Sequence, residues 1–174
     1  MIDPADILNA KVLIVDDQES NVLLLEEMLR GAGYACVTST MDPRAVVGLH
    51  REHRYDLILL DLQMPGLDGF QVMAGLKTIE PDGYLPVLVI TAQPAHKLQA
   101  LQAGAKDFVS KPFDVLEVKT RIHNMLEVRL LYKRLEQTVE IRTAELRENE
   151  ARFNAVREMA GFLAQQRRPA VKGK

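Results

Sequence analysis

Five strand candidates, three of them short apolar runs, constrain this chain more than any other feature. Lys11–Val15 (KVLIV), Ala35–Thr40, Leu57–Leu60 (LILL), Val87–Ala92 (VLVITA) and Asp107–Ser110 (DFVS) are each followed by a stretch with helical spacing or helix-start signals. Brief runs with little polar alternation fit strands buried on both faces. Strands that alternate with helices make βα units, which build a parallel sheet with helices on both faces and right-handed crossovers. Helix signals fall in the gaps. Ser20 is placed to cap a helix through Val22, Leu25, Met28 and Leu29, which Gly31 and Gly33 end. Asp42 and Pro43 open a second helix, and Gly69 a third, through Val72, Met73 and Leu76. Ala95–Ala103 is a short fourth, stopped at Gly104, and the last helix begins near Asp114 or Val115.

Several of these runs end on a reactive side chain. Asp16 and Asp17 follow the first and Asp61 the third; Thr91 ends the fourth, and Lys111 lies just past the fifth. In an open parallel sheet ligands bind outside the carboxyl ends of the strands, so these groups share one edge. Around Asp61 the chain reads YDLILLDLQMPGLDG, and Met64, Pro65, Gly66, Asp68 and Gly69 form a tight turn into the next helix. Three carboxylates in one crevice repel, and a divalent cation removes the conflict. The oxygen donors suit Mg²⁺ rather than zinc, which favours His or Cys. Beside a cation a carboxylate can attack phosphorus, with Lys111 as a point charge and Thr91 as a hydrogen-bond donor.

At 174 residues the chain holds one ordinary domain plus an extension. Its 22 Lys+Arg against 24 Asp+Glu give a formal charge of −2, which argues against direct nucleic-acid binding through a basic surface. The single cysteine, Cys36, excludes an internal disulfide, suits a reducing compartment, and is expected to be a packed strand residue. No apolar run approaches the roughly 18 residues of a membrane span, and the opening MIDPADILNA lacks a signal-peptide pattern. These features predict a cytoplasmic protein with no membrane contact. His50, His53, His96 and His123 are scattered, and His50 and His53 are expected on a solvated helix face.

Taken together, the DD pair, the D of LLDLQMPGLDG, the T of VITA and the K of KPF resemble the receiver domain of two-component response regulators, over about Lys11 to Glu127. The resemblance implies a doubly wound five-stranded α/β fold, flavodoxin-like, with strand order 2-1-3-4-5. It implies that Asp61 accepts the phosphoryl group and that Asp17 is a direct Mg²⁺ ligand. Asp16 then holds metal-bound water or assists, and the Gln63 carbonyl completes the protein ligands. Thr91 and Phe108 become the switch residues and Lys111 the ammonium that pairs with the phosphoryl group. The bond before Pro112 is then a cis peptide, and Gln63 and Gln93 tune phosphoryl lifetime. The implied partner is a histidine kinase or phosphotransfer protein. The implied chemistry is limited to self-phosphorylation and self-dephosphorylation.

The last helix runs past the end of a minimal receiver. From about Val115 to Gln166 there is no proline and one glycine, Gly161. A helix of about 50 residues spans roughly 75 Å and needs a partner. Val128, Leu131, Leu135, Val139, Leu146, Asn149, Phe153 and Val156 recur mostly at alternating three- and four-residue steps, and the succession Leu131, Leu135, Val139 reads as a stutter. This pattern predicts a parallel homodimer, a coiled coil with Asn149 fixing register. Leu126–Asn149 also resembles the signalling helix leading to outputs such as cyclic-di-GMP phosphodiesterases of the HD-GYP type, and Glu145–Val156 is similar to the lead-in of PAS domains. With no output motif in the sequence, the output is expected in missing residues or in another protein. The predicted parts are an N-terminal extension over 1–10, a receiver over 11–127, the coiled-coil helix over 128–166 and a disordered basic tail over 167–174.

Two rival readings differ in kind. A dimerisation or scaffold module with an unused pocket has no reason to keep Asp16, Asp17, Asp61, Thr91 and Lys111 together. A haloacid-dehalogenase-like phosphatase would require an acid two residues after the nucleophile, where this chain has Gln63.

Overall fold

The computed structural model of the protein describes residues 2–81 and 83–166. The chain divides into two compact units, with the boundary after Tyr132, five residues beyond the boundary read from sequence. The basic tail lies outside the described residues.

In chain order the first unit contains α1 (Pro4–Leu8), β1 (Lys11–Val15), α2 (Glu19–Gly31), β2 (Cys36–Thr40), α3 (Val46–His53), β3 (Leu57–Leu60), α4 (Gly69–Ile79), β4 (Val87–Thr91), α5 (Lys97–Ala103), β5 (Asp107–Ser110) and the start of α6 (Val115–Gln166). Short 3₁₀ turns, Pro43–Ala45 and Pro94–His96, precede α3 and α5. The strands form one parallel sheet in the order β2-β1-β3-β4-β5. No helix among the described residues is long and apolar enough to cross a membrane.

The apolar runs of β1, β3 and β4 are buried on both faces, since successive residues point to opposite sides and each side is covered. Val12, Ile14, Leu57, Leu59, Leu88 and Ile90 pack with Leu25 and Leu29 of α2 and with Val118, Ile122 and Leu126 of α6. Leu13, Val15, Ile58, Leu60, Val87 and Val89 pack with Val46 of α3, Val72, Met73 and Leu76 of α4, and Ala100 of α5. Each of these Val, Leu, Ile and Met side chains contributes about 1.5–3 kcal/mol by leaving water, so the two cores hold the strand tips in fixed register. Val15 lies beside Leu60, and Thr91 beside Ser110. The chemistry-bearing residues follow directly.

Three local expectations change. Helix α2 starts at Glu19 with Gln18 at its cap and no side-chain cap bond; the Asp16 carboxylate accepts the Gln18 N–H instead, so Ser20 is not the cap. Cys36 is in a strand but exposed, because it starts the edge strand β2 opposite the equally exposed Lys11, while Val37 takes the inward position. His50 is fully buried rather than solvated. Its Nδ1 accepts the Tyr55 N–H at 3.2 Å, so Nε2 carries the hydrogen and donates to Glu80 at 2.9 Å. Residues 2–10, ahead of β1, include α1, capped by Asp3, and contribute buried Ile2, Ile7 and Ala10 to the core.

In the second unit α6 continues as a single helix to Gln166, and every residue from Arg134 to Gln166 is exposed. Leu135, Val139, Leu146, Phe153 and Val156 are among them.

Candidate functional site

The carboxyl ends of β1 and β3 bring Asp16, Asp17 and Asp61 together, each offering an oxygen within 4.8 Å of the others. Backbone pairing sets their positions, since the Asp61 N–H donates to the Val15 carbonyl at 2.9 Å. Asp16 and Asp61 are buried, and Asp17 is half-buried.

A single ammonium holds two of the three. Lys111 Nζ lies 2.7 Å from Asp16 Oδ2 and 3.0 Å from Asp61 Oδ2, and its own N–H is tied to the Thr91 carbonyl at 2.8 Å. Burial alone would lower the Lys111 pKa, but the hydrogen bonds and charges of Asp16 and Asp61 outweigh it and hold the ammonium above its ordinary value. Asp16 is held further by the Gln18 N–H and by Asn21, whose Nδ2 lies 3.1 Å from both carboxylate oxygens. The remaining oxygen of Asp61, Oδ1, takes the Gln63 N–H at 3.2 Å. Asp17 differs: its Oδ1 is buried and has no hydrogen-bond partner among the described residues. An unsatisfied carboxylate oxygen beside two more carboxylates is a donor set that fits a hard divalent cation. Asp17, Asp61 and Asp16 are the residues that would hold Mg²⁺.

The loop after Asp61 is shaped by glycine and by a capping box. Gly66 adopts φ +83°, and the Gly69 N–H returns to the Leu62 carbonyl at 3.1 Å. Asp68 accepts the Gln71 N–H at 2.9 Å while the Gln71 side chain accepts the Asp68 N–H at 3.0 Å, closing the first turn of α4. A cleft of about 450 Å³ opens beside the acids, lined by Asp17, Gln63, Met64, Phe70 and His96 among others.

Thr91 is fully buried at the tip of β4, and its hydroxyl oxygen accepts the Gln93 N–H at 3.2 Å. Gln63 and Gln93 are exposed, two residues beyond Asp61 and Thr91. Phe108 is half-buried on β5, with the Lys97 ammonium 4.2 Å above its ring. The Lys111–Pro112 peptide is cis. The structure thus joins Asp16, Asp17, Asp61 and Lys111 and sets Thr91 on a neighbouring strand end, while Phe108 is three residues back from Lys111 along β5. Two contributors escape sequence reading. Asn21 gives no signal beyond standing one turn into α2, and Lys97 meets Phe108 only through the packing of α5 on β5.

The family model described as the response regulator receiver domain matches residues 12–123. The chain belongs to this family. The response regulator PleD of Caulobacter vibrioides is 37% identical over 132 residues, 75% of this chain but 29% of that protein. The chemotaxis protein CheY of Thermotoga maritima is 31% identical over 106 residues, 61% of this chain and 88% of that protein. The chain therefore spans less than a third of PleD. It also spans 49% of the transcriptional regulatory protein PhoP of Bacillus subtilis, to which it is 36% identical. Among solved structures, a putative response regulator from Chloroflexus aurantiacus superposes with a TM-score of 0.64 at 31% identity, covering 68% of this chain and 98% of that one. The receiver domain of the sensor histidine kinase PA1611 from Pseudomonas aeruginosa, solved with a magnesium ion in its active-site cleft, gives 0.63 at 30% identity, with 68% and 98% covered. Receivers are regulatory phosphoacceptors in phosphorelay signalling, not enzymes acting on a separate substrate.

Proposed function

We propose that Asp61 accepts a phosphoryl group from a histidine kinase or phosphotransfer protein, with Mg²⁺ held by Asp17, Asp61, the Gln63 carbonyl and, through water, Asp16. The observation that carries this reading is the Lys111 ammonium bridging Asp16 and Asp61 beside an Asp17 oxygen with no hydrogen-bond partner among the described residues. An Asp61 carboxylate oxygen attacks phosphorus while the bond to the donor's imidazole nitrogen breaks, and the leaving imidazole takes a proton from solvent. Bound Mg²⁺ supplies positive charge that offsets the phosphoryl oxygens. Lys111 is already within reach of Asp61, so it pairs with a phosphoryl oxygen by relaxing its hold on Asp16. Thr91 turns its hydroxyl from the Gln93 N–H towards the same group, and Phe108 moves with the loop that Thr91 releases. Hydrolysis reverses the change when water attacks the acyl phosphate, with Gln63 and Gln93 flanking its approach and tuning the lifetime.

The parts assigned above follow: a receiver over about 11–127 and, from 128 to 166, a helix that pairs in parallel with a second copy. The exposed seam Val128, Leu131, Leu135, Val139, Leu146, Asn149, Phe153 and Val156 supports this pairing. The output is supplied by further residues or by another protein, in the cytoplasm where such donors work, and neither nucleic acid nor membrane is contacted directly. Transfer of labelled phosphoryl from a phosphohistidine donor to the chain, absent in Asp61→Asn, is the expected result; equal labelling of the variant would move the site elsewhere. In sedimentation at tens of micromolar the chain is expected as a dimer, and Leu146→Glu with Phe153→Glu as a monomer. A monomeric parent contradicts the pairing.

A further inference from the structure

A second cluster of charge lies at the sheet's opposite end, where β1, β3 and β4 begin, and it includes α6. Arg129 of α6 is 6% exposed. Its guanidinium donates to the Tyr84 carbonyl, just before β4. Its Nη2 lies 3.8 Å from Glu80 Oε2, and its Nε lies 3.9 Å from Asp56 Oδ1. Asp56 precedes β3 and accepts the Lys11 N–H at 3.0 Å. Glu80 is the C-terminal cap of α4, and its other oxygen takes His50 at 2.9 Å and faces Arg54 at 3.5 Å. Among the described residues the cluster sets Arg54 and Arg129 against the carboxylates of Asp56 and Glu80, with His50 bonded to Glu80.

Its geometry is loose where it meets α6. Arg129 Nε and Glu80 Oε2 are buried without a hydrogen-bond partner among the described residues, and both ion pairs exceed hydrogen-bond distance. Charge holds them, not close contact, so a small displacement of α4 makes or breaks a bond. The other end of α4 abuts the phosphoryl-acceptor loop: a Cβ on Gly69 would stand 2.7 Å from the Asp61 carbonyl oxygen. Buried Val72, Met73 and Leu76 seat the helix between these two ends.

We propose that Arg129 is a positioning residue that senses where the end of α4 lies and passes that position to α6 at the point where the helix leaves the first unit. The proposal rests on the receiver reading and adds a route through α4. The test follows hydrogen exchange of amides 126–132 with and without phosphorylation by a small phosphodonor and Mg²⁺, with intact mass giving the phosphoryl content of every sample. The variants are Arg129→Met and, since that change leaves Asp56 and Glu80 buried without the guanidinium, also Glu80→Gln, which keeps size and the bond to His50. Phosphorylation is expected to change exchange in the parent by about threefold or more. Both variants are expected to take up the same amount of phosphoryl with less than half that response. A full response in both variants, or none in the phosphorylated parent, overturns the proposal. A parent that gains no phosphoryl mass overturns the receiver reading itself, and the Arg129 assignment with it.

Discussion

Gly69→Ala is expected to destabilise the protein by about 3 kcal/mol or more. The added methyl would stand 2.7 Å from the Asp61 carbonyl oxygen and 2.9 Å from the Leu62 Cα, and both are backbone atoms just past the end of β3, where the acceptor sits. A flexible side chain could swing aside, but backbone joined directly to β3, a strand paired on both edges, and tied by the Asp61 N–H to Val15 cannot. Relief would have to come from moving the start of α4, which breaks the Gly69 N–H bond to Leu62 and opens the Asp68–Gln71 capping box. Gly48, inside α3, is the control: a Cβ there meets nothing within 4 Å, so Gly48→Ala is expected to stabilise by up to about 1 kcal/mol. Urea unfolding of the two variants decides the matter. Equal midpoints would mean that the acceptor loop is not closed over Gly69.

Lys111→Met is expected to cost about 3 kcal/mol in the absence of divalent cations. Its ammonium is the cation that hydrogen-bonds both Asp16 and Asp61. Without it two buried carboxylates and Asp17 face one another uncompensated, so folding opposes their repulsion. Mg²⁺ then becomes the remaining source of positive charge, and it is expected to bind the variant several-fold more tightly and to raise its unfolding midpoint more than the parent's. The dependence on pH has a definite sign. The folded-state pKa of Lys111 is raised, so its contribution is fully present below the ordinary lysine value of 10.5 and is lost as pH rises through the raised value. The parent's advantage over Lys111→Met therefore contains a lysine part that stays level across neutral pH and fades only in strong alkali. Unfolding titrations with and without Mg²⁺ measure both effects. A variant as stable as the parent in a chelating buffer would contradict the bridging role.

Much of this arrangement is legible from sequence because parallel topology does the assembling. Once KVLIV, LILL and VLVITA are read as buried strands, their tips must share an edge, and Asp16, Asp17, Asp61 and Thr91 come with them. What escapes the reading depends on partners far along the chain. His50 sits among Arg51, Glu52 and His53, so local pattern places it in solvent; it is buried because Glu80, 30 residues later, accepts its hydrogen. Arg129 looks like one more charge on a long polar helix, and its place is set by a carbonyl 45 residues earlier. Cys36 is exposed because β2 is an edge strand, a property of sheet order and not of the local sequence. The resting contacts of Lys111 belong to the same class: its type and position were readable, but not its bond to Asp16. Helix α1 is a different omission, since Asp3, Pro4 and Ile7 carry ordinary cap and core signals.

The central claim is that Asp61 takes a phosphoryl group through the chemistry of these strand ends. Intact mass after incubation with Mg²⁺ and a small phosphodonor tests it most directly. The account predicts a gain of one phosphoryl group in the parent, lost on chelation of the metal and absent in Asp61→Asn. An unchanged parent mass under every donor, or an equal gain in Asp61→Asn, would contradict it.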